Sequence, residues 1–317
     1  MKEIKGLLVK GLGGLYEIEG EDGARYTCRA KGILKKDDGK LLMGDTVLLS
    51  VDESGKGETA ITGILPRQNA LIRPPLSNLS YMLLTVAARD PAPSTVLLDR
   101  MTVICEKEGI VPVLLVNKCD LAGSEAEALA SVYRKAGYTV FTVSAKEKEG
   151  IASVSTFLEE VLQEGRIACF AGASGVGKST LMNALFPTLQ RETRGLSEKT
   201  ARGKHTTRSV ELFPAYGGWL ADTPGFSLLD FVRFDFVTLG ELAGCFPEFA
   251  PYLGACRYTD CTHRSEDGCG IVDALARGDI GQSRFDSYSE LFLLLKEKEK
   301  SLYDGNKKKI GKCQVVE

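Results

Sequence analysis

The 317-residue chain is long enough for two or three domains, each with its own hydrophobic core. Hydrophobic residues make up 44% of it and charged residues 26%, which is typical of a soluble globular protein, and its apolar runs are too short to span a membrane. The formal net charge of −2 excludes a uniformly basic nucleic-acid-binding protein, so contact with nucleic acid would need local basic patches. No secretory hydrophobic region follows the start of the sequence, so we expect a cytoplasmic protein whose nine cysteines serve as thiols or metal ligands in preference to disulfides.

Residues 1–72 predict an all-β domain. Five short stretches rich in β-branched and aliphatic residues are separated by turns with glycine, aspartate or asparagine: GLLVKGL, LYEIEG, ARYTCRAK, DTVLLSVD and TAITGILP. Five short strands in this length favour a small barrel of the oligonucleotide-binding type, the OB-fold. Its basic residues and tyrosines are equally consistent with an RNA-binding face or with a solvated loop over core tyrosines. They are Arg25, Arg29, Lys31, Lys35, Lys36, Tyr16 and Tyr26.

After Pro74-Pro75 the pattern changes to an alternation of apolar strands and helices. YMLLTVAA, VPVLLV and YTVFTV predict strands, with helices from about Ser94 to Glu108 and from about Ser124 to Gly137. This alternation indicates a parallel sheet with helices on both faces. Ligands of such sheets bind outside the carboxyl ends of the strands, and the sharper motifs of the chain lie at those ends.

The first of these motifs is NKCD, residues 117–120, directly after VPVLLV. The carboxylate of Asp120 can accept hydrogen bonds from the ring N–H and the exocyclic amino group of guanine, so it predicts selection of a guanine base. Asn117 and Lys118 would brace the base and the phosphate-binding loop. The next strand ends in a tripeptide that is uninformative alone but could support the guanine ring: Ser144, Ala145 and Lys146.

A phosphate-binding loop is predicted after the apolar run 167–171. Its sequence, GASGVGKS, matches GxxxxGK[ST], in which backbone N–H groups and a helix N-terminus collect the negative charge of nucleotide phosphates. Lys178 would reach the β- and γ-phosphates, and the Ser179 hydroxyl would bind Mg²⁺. The predicted loop and first helical turn comprise Gly172, Ala173, Ser174, Gly175, Val176, Gly177, Lys178, Ser179 and Thr180.

Two later segments predict the rest of the magnesium and γ-phosphate site. A basic segment beyond the phosphate loop contains Thr206 and Thr207, either of which could complete the Mg²⁺ shell. The strand WLA then leads into DTPG. Here Asp222 would hold Mg²⁺ through water, and the Gly225 N–H would meet the γ-phosphate.

A cysteine-rich segment near the end of the chain predicts a structural metal site. Cys256, Cys261, His263 and Cys269 form the pattern CxxxxCxHxxxxxC. Three thiolates and one imidazole suit a closed tetrahedral zinc site with no open position for water. Cys245 is a possible replacement for one of the four, disfavoured by its distance along the chain.

The last predicted element is a helix from about Gln282 to Tyr303. We expect it to pack on the cysteine-rich module through an apolar face made of Phe285, Tyr288, Leu291, Phe292 and Leu295. The lysine-rich stretches that follow, KEKEK and GNKKKIGK, are consistent with a disordered tail or with contacts to RNA phosphates.

The motifs NKCD, SAK, GASGVGKS, GKHTTR and DTPGF, in that order, resemble those of a circularly permuted GTPase, because conventional GTPases carry the phosphate loop before NKxD. With the small barrel and the cysteine cluster, nearly the whole chain resembles the family of small-ribosomal-subunit biogenesis GTPases. The resemblance implies an OB-fold barrel, a permuted P-loop GTPase domain and a zinc-binding helical domain, which we place at residues 1–72, 73–232 and 233–317. It also implies GTP hydrolysis stimulated by the small subunit, late subunit maturation, rRNA binding, Mg²⁺ with GTP or GDP, and one Zn²⁺ per chain. We expect a monomer without membrane contact.

The resemblance further suggests a catalytic histidine. Some GTPases orient the attacking water with a glutamine directly after DxxG, but Phe226 occupies that place here, and an apolar side chain cannot orient water. His205 lies in GKHTT, where the matching histidine of the family is proposed to take this role. The alternative is that His205 is exposed or contacts rRNA. Two other functions stay open: an RNA-binding module regulated by GTP with negligible turnover, and a P-loop kinase or ATPase, against which NKCD argues.

Overall fold

The computed structural model describes the backbone of residues 2–31, 40–51, 59–72, 74–187, 210–222 and 237–313. It describes side chains throughout these ranges except for Asp222 and the residues beyond Ser301. Within the described ranges, no helix combines the length and apolarity needed to cross a membrane.

The N-terminal region is a closed barrel of five strands: β1 (Lys2–Leu12), β2 (Leu15–Gly20), β3 (Arg25–Ala30), β4 (Thr46–Val51) and β5 (Ala60–Ile64). Their order around the barrel is β1-β2-β3-β5-β4, and only the β3–β5 pairing is parallel. Successive side chains of a strand point to opposite faces, so alternate residues fill the interior. Those with little or no exposure include Ile4, Leu8, Ile18, Leu49 and Ile61. The predicted barrel is confirmed.

A short hairpin connects the barrel to the central region. It consists of β6 (Ala70–Leu71) and β7 (Leu76–Ser77), on either side of the predicted boundary. Beside it, the fully buried carboxylate of Asp45 accepts hydrogen bonds from Arg67 Nε at 2.6 Å and Nη2 at 2.8 Å, and from Ser77 Oγ at 2.6 Å. This forked, charge-assisted pair fixes the barrel to the start of the central sheet.

The central sheet contains six strands: β8 (Leu79–Ala87), β9 (Val111–Asn117), β10 (Thr139–Thr142), β11 (Ile167–Ala171), β12 (Glu211–Ala215) and β13 (Gly218–Asp222). Their order is β10-β9-β8-β11-β13-β12, and all are parallel except β12. From β8 the chain moves outward through β9 to β10. After β11 it continues on the other side of the sheet, first to the edge strand β12 and then back to β13. The strand order therefore reverses between β8 and β11, and parallel sheets bind ligands at the carboxyl ends of such a pair.

Helices cover both faces of this sheet: α1 (Thr95–Glu108), α2 (Gly123–Lys135), α3 (Ile151–Val161) and α4 (Lys178–Leu185). Side chains of α1 and α2 pack in one cluster with alternate residues of β8 and β9, and those of α3 and α4 pack in a second cluster with the intervening residues. The predicted start of α1 is confirmed, because Ser94 Oγ caps it by accepting from the Leu97 N–H at 3.4 Å.

The C-terminal module begins with two 3₁₀ turns, Leu242–Cys245 and Pro247–Tyr252, followed by α5 (Gly270–Ala276) and α6 (Gln282–Cys313). The five apolar residues predicted on one face of α6 are all buried. The predicted end of this helix at Tyr303 is wrong, because α6 continues to Cys313. The added segment contains four lysines, and lysine is a good helix former, so a charged sequence without an apolar face can still continue a helix. The helix packs on α1 as well as on the cysteine-rich module.

Candidate functional site

The predicted phosphate loop lies at the strand-order reversal, between β11 and α4. A Cβ atom at Gly172, where φ is +146°, would lie 2.2 Å from the backbone oxygen of Thr85, so only glycine lets the loop lie this close to β8. Gly177, at φ +95°, would bring a Cβ atom within 2.3 Å of Asn117 Nδ2. The spacing of glycines in the motif therefore reflects close contacts with the two neighbouring strands.

Asn117, at the carboxyl end of β9, connects the three predicted motifs. Its side chain is 2% exposed; Nδ2 donates to the backbone oxygen of Val176 in the phosphate loop at 2.9 Å, and Oδ1 accepts from the Ala145 N–H at 3.1 Å. A buried amide with partners on both atoms is held in a single orientation. Asn117 therefore fixes the phosphate loop and the 144–146 segment relative to each other.

Lys118 adds a second connection to the loop. Its backbone is left-handed, with φ of +63°, and its Nζ donates to the Gly175 oxygen at 2.9 Å and also to the oxygen of Asp90. The contact with Asp90, in the segment between β8 and α1, was not predicted; a backbone oxygen has no sequence signature. Lys118 therefore holds two loops of the site together.

The residue predicted to select guanine, Asp120, is exposed in a 3₁₀ turn, Cys119–Leu121. It borders a cavity of about 450 Å³, within the size range of pockets for small ligands. The cavity unites residues from NKCD, from SAK and from the loop and α4: Asn117, Lys118, Asp120, Leu121, Ser144, Ala145, Lys146, Gly177 and Thr180. The structure thus brings three separate sequence predictions to one place.

Lys178 lies over the phosphate loop. Its Nζ donates to the backbone oxygens of Gly172 and Ala173, each at 2.7 Å, and burial lowers the pKa of its ammonium group. Ser179 and Thr180 are exposed in the first turn of α4. A cationic side chain, a helix N-terminus and an accessible hydroxyl therefore lie together, which is the arrangement that binds phosphate.

Of the other residues predicted to bind Mg²⁺ or to take part in hydrolysis, the structure describes only the backbone of Asp222. Asp222 ends β13, where the preceding Ala221 is the register partner of Cys169 on β11, so its backbone lies at the same edge of the sheet as the phosphate loop. Four predicted site residues lie outside the described part of the chain: His205, Thr206, Thr207 and Gly225.

The structure describes some of the barrel residues that could form a basic face. Arg25 and Arg29 are exposed on β3, and Arg25 pairs with Glu19 at 3.1 Å. Tyr16 and Tyr26 are half-buried against the barrel core, which favours the packing interpretation of the two tyrosines. Lys31 is exposed, and the other two predicted lysines, Lys35 and Lys36, lie outside the described residues.

The cysteine-rich segment forms a compact cluster. The ligand atoms of Cys256, Cys261, His263 and Cys269 all lie within 4.8 Å of one another. Cys256 Sγ lies 3.9 Å from Cys269 Sγ and 3.4 Å from His263 Nδ1. A tetrahedral ion with its ligands at ordinary zinc distances requires separations of about 3.8 Å between sulfurs and about 3.5 Å from sulfur to nitrogen. Four soft donors at this spacing could hold a metal ion.

The protonation of the histidine also suits a metal, whereas that of one cysteine opposes it. Burial lowers the pKa of His263, which favours the neutral, ligating imidazole, and burial raises the pKa of Cys261 to about 12, so a cation would have to displace its proton. The alternative ligand, Cys245, is buried in a 3₁₀ turn of the hydrophobic core and is not part of the cluster.

Glu266 organises the loop that carries these ligands. Its carboxylate accepts from the backbone N–H groups of Thr262, Arg264 and Ser265 at 2.8–3.2 Å, as well as from the Thr262 hydroxyl. These bonds outweigh the effect of burial and lower the pKa of Glu266. Glu266 was not among the predicted site residues; its signal in the sequence is an acidic residue between His263 and Cys269.

Comparison with known proteins extends these observations to the whole chain. Residues 64–232 match the family described as RsgA GTPase, and residues 5–58 match the RsgA N-terminal domain. The chain is 40% identical over 298 residues to the small ribosomal subunit biogenesis GTPase RsgA of Geobacillus thermodenitrificans, covering 93% of this chain and 98% of that protein. It is 39% identical over 305 residues to the protein of the same name from Caldanaerobacter subterraneus subsp. tengcongensis, covering 96% and 99%.

Solved structures with similar folds agree with this. The chain superposes with a TM-score of 0.76 on YloQ, described as a circularly permuted GTPase, at 32% identity and with coverage of 94% of this chain and 96% of YloQ. It superposes equally well, with a TM-score of 0.76, on YjeQ from Thermotoga maritima, at 30% identity and with coverage of 93% and 99%. The similarity includes the order of the motifs along the chain, which is the permuted one.

Proposed function

Because the chain belongs to the RsgA family of circularly permuted GTPases, we propose that its GTP hydrolysis is stimulated by the small ribosomal subunit and that it assists the late maturation of that subunit. The observation that carries the proposal is the cavity in which Asp120, Asn117 and the phosphate loop meet. We propose a cytoplasmic monomer that binds rRNA through the barrel and the C-terminal module.

In this proposal the base and the phosphates bind to different segments of one edge. The Asp120 carboxylate accepts from guanine, the 144–146 segment supports the ring, and Asn117 keeps both at a fixed distance from the loop. The loop 172–177 and Lys178 bind the phosphates. Adenine would leave the polar groups of the site without hydrogen-bond partners, so discrimination against ATP is strong.

Mg²⁺ bound to the phosphates would neutralise part of their charge. Ser179 would hold it directly, Asp222 through water, and one of Thr206 and Thr207 would complete its shell. We assign to His205 the orientation of the attacking water and to the Gly225 N–H a contact with the γ-phosphate. The position of Asp222 beside β11 supports this arrangement.

We propose that the metal of the C-terminal cluster is Zn²⁺, one per chain, with a structural role. The donor set supports this, because three sulfurs and one nitrogen are the four ligands that a closed tetrahedral zinc site takes, with no place for water. We also propose three functional domains, at residues 1–72, 73–232 and 233–317.

The test is nucleotide turnover by the full chain, measured as phosphate release with GTP and with ATP, each with and without purified small subunits. We expect hydrolysis of GTP only, raised about ten-fold or more by the subunits, which corresponds to about 1.4 kcal/mol of the activation barrier. Equal hydrolysis of ATP would contradict the base assignment. Unstimulated GTP turnover would favour the GTP-regulated RNA-binding module instead.

Two variants assign the roles within that measurement. His205→Ala should lower the stimulated rate while leaving GTP affinity near wild type, and an undiminished stimulated rate would remove His205 from the mechanism.

Asp120→Asn should weaken GTP binding and favour xanthosine triphosphate, because xanthine presents a carbonyl where guanine presents its amino group.

A further inference from the structure

The C-terminal helix α6 inserts a charged side chain into the interior of the protein. Arg284 has no solvent exposure, and its Nη1 donates to Asp99 Oδ1 of α1 at 2.6 Å. Its Nε and Nη2 donate to the two carboxylate oxygens of Glu248, in the second 3₁₀ turn, at 2.6 and 3.2 Å. One guanidinium therefore binds a buried carboxylate of the GTPase domain, Asp99, and a carboxylate of its own module, Glu248, and so connects the module to the GTPase domain.

Aromatic rings enclose this contact. Tyr133 of α2, Tyr138 before β10 and Phe246 place their ring centroids 5.4, 5.4 and 4.6 Å from the guanidinium carbon. Tyr133 also donates its hydroxyl proton to Asp99 Oδ1 at 2.7 Å. Burial alone would lower the pKa of Arg284, but its charged and hydrogen-bonded partners raise it, so the group stays cationic.

The three GTPase-domain elements in contact with Arg284 lead to the nucleotide site. The segment before α1 contains Asp90, whose oxygen binds Lys118, and α1 itself borders a cavity of about 170 Å³ beside the phosphate loop. Helix α2 begins directly after the turn that carries Asp120. Strand β10 leads into the 144–146 segment that supports the base.

We propose that Arg284 is a positioning residue of the nucleotide site: by fixing α1, α2 and the start of β10 together, it makes guanine-nucleotide affinity depend on docking of the C-terminal module. This rests on the proposed use of the Asp120 cavity for the base. Tyr133 lies about 15 Å along α2 from its first residue, Gly123, so a tilt of about 4° at Tyr133 moves the start of the helix by about 1 Å. Displacements of that size strongly weaken contacts that depend on orientation.

Coupling of this kind acts in both directions. If docking of the module favours nucleotide binding, bound nucleotide must favour docking to the same extent. Removal of the guanidinium would leave Asp99 and Glu248 facing each other as buried carboxylates, which disfavours the docked arrangement. Lysine would restore a charge but not the fork that binds both carboxylates.

The test measures GDP affinity of the full chain by calorimetry, without hydrolysis. Arg284→Met should weaken GDP binding about five-fold or more, and Arg284→Lys should give an intermediate loss. The matched control is Arg277→Met, in the same module, because Arg277 is exposed and pairs with Asp279 at 2.9 Å; its GDP affinity should equal that of wild type.

Hydrogen exchange supplies the readout that a purely structural role would not change. GDP should increase the protection of residues 282–295 in the wild type and in Arg277→Met, but not in Arg284→Met. Unchanged GDP affinity in an Arg284→Met protein whose α6 exchanges faster would overturn the proposal, since Arg284 would then only hold the module in place.

A milder variant keeps the test decisive should Arg284→Met not fold. Glu248→Gln removes one carboxylate charge on the module side and leaves the Asp99 contact in place, so a smaller loss of GDP affinity and a smaller gain of protection are expected. Wild-type values for both would overturn the proposal. Absence of GDP binding by the wild type would instead contradict the proposed function itself.

Discussion

The central domain is held at two junctions, and both contain a buried carboxylate bound by an arginine. At the barrel junction, Asp45 binds Arg67 and Ser77 just before β8 begins. At the C-terminal junction, Asp99 binds Arg284 in the body of α1. The nine residues of β8 separate the first junction from the nucleotide edge by about 30 Å. The C-terminal junction lies on helices that start at the nucleotide edge. Its position in the fold, more than the strength of its ion pair, therefore couples it to nucleotide binding.

One contact of the barrel does reach the nucleotide edge. Lys10 of β1 pairs with Glu211 of β12 at 2.7 Å, and Glu211 is the register partner of Asp222. Each partner is 28% exposed, and pairs with that much solvent contribute little because water and salt screen them. The two junctions therefore differ in how strongly they are coupled to the nucleotide edge, and substitutions can measure this difference.

The largest effect is expected at the barrel junction. Arg67→Met leaves the fully buried Asp45 carboxylate without its cation, which should lower the free energy of unfolding by about 3 kcal/mol in chemical denaturation. GDP affinity of the folded protein, measured by calorimetry, should stay within about two-fold of wild type. Coupling between two sites typically changes affinity by about five-fold or more. A loss of affinity as large as that of Arg284→Met would show that both junctions are coupled to the nucleotide.

An intermediate effect is expected from removal of the metal. Cys261→Ser should lower the zinc content from about one per chain in the wild type, because a weaker oxygen donor or water would replace one of the three sulfurs of the site. Hydrogen exchange of residues 255–269 should then increase.

The same variant distinguishes the metal loop from the Arg284 contact. Among the described residues, the side chains that surround Arg284 come from outside the loop: Asp99, Thr102, Tyr133, Tyr138, Phe246 and Glu248. GDP affinity should therefore change less than in Arg284→Met. A greater loss in Cys261→Ser would place the coupling in the metal loop, through the bond from Tyr288 to the Thr262 oxygen.

Motifs with strict local geometry were predictable from the sequence. The phosphate loop, NKCD at the end of β9 and the four predicted metal ligands require particular residue types at fixed spacing, and the structure brings each group together. The strand segments of the barrel were predictable from their composition. The parallel pairing of β3 with β5 was not, because closure depends on contacts between strands that are distant in sequence.

The Arg284 contact shows why long-range ionic contacts are harder to predict. Arg284 falls in register with the apolar face of α6, four residues before Tyr288 and one before Phe285, and Asp99 lies between the buried Leu98 and Met101. A charged residue on an apolar face is the only sequence signal, and it does not reveal a partner 185 residues away.

The smallest effect is expected for the exposed contact of the barrel with β12. Lys10→Met keeps most of the side-chain length and removes the charge, so the free energy of unfolding should fall by less than about 1 kcal/mol. Lys5→Met, at an exposed lysine of the same strand, is the matched control. Because salt screens such a pair, any difference between Lys10→Met and wild type should disappear in concentrated sodium chloride. A salt-resistant loss of GDP affinity in Lys10→Met would mean that the barrel acts on the nucleotide edge through Glu211, and the contrast between the two junctions would no longer hold.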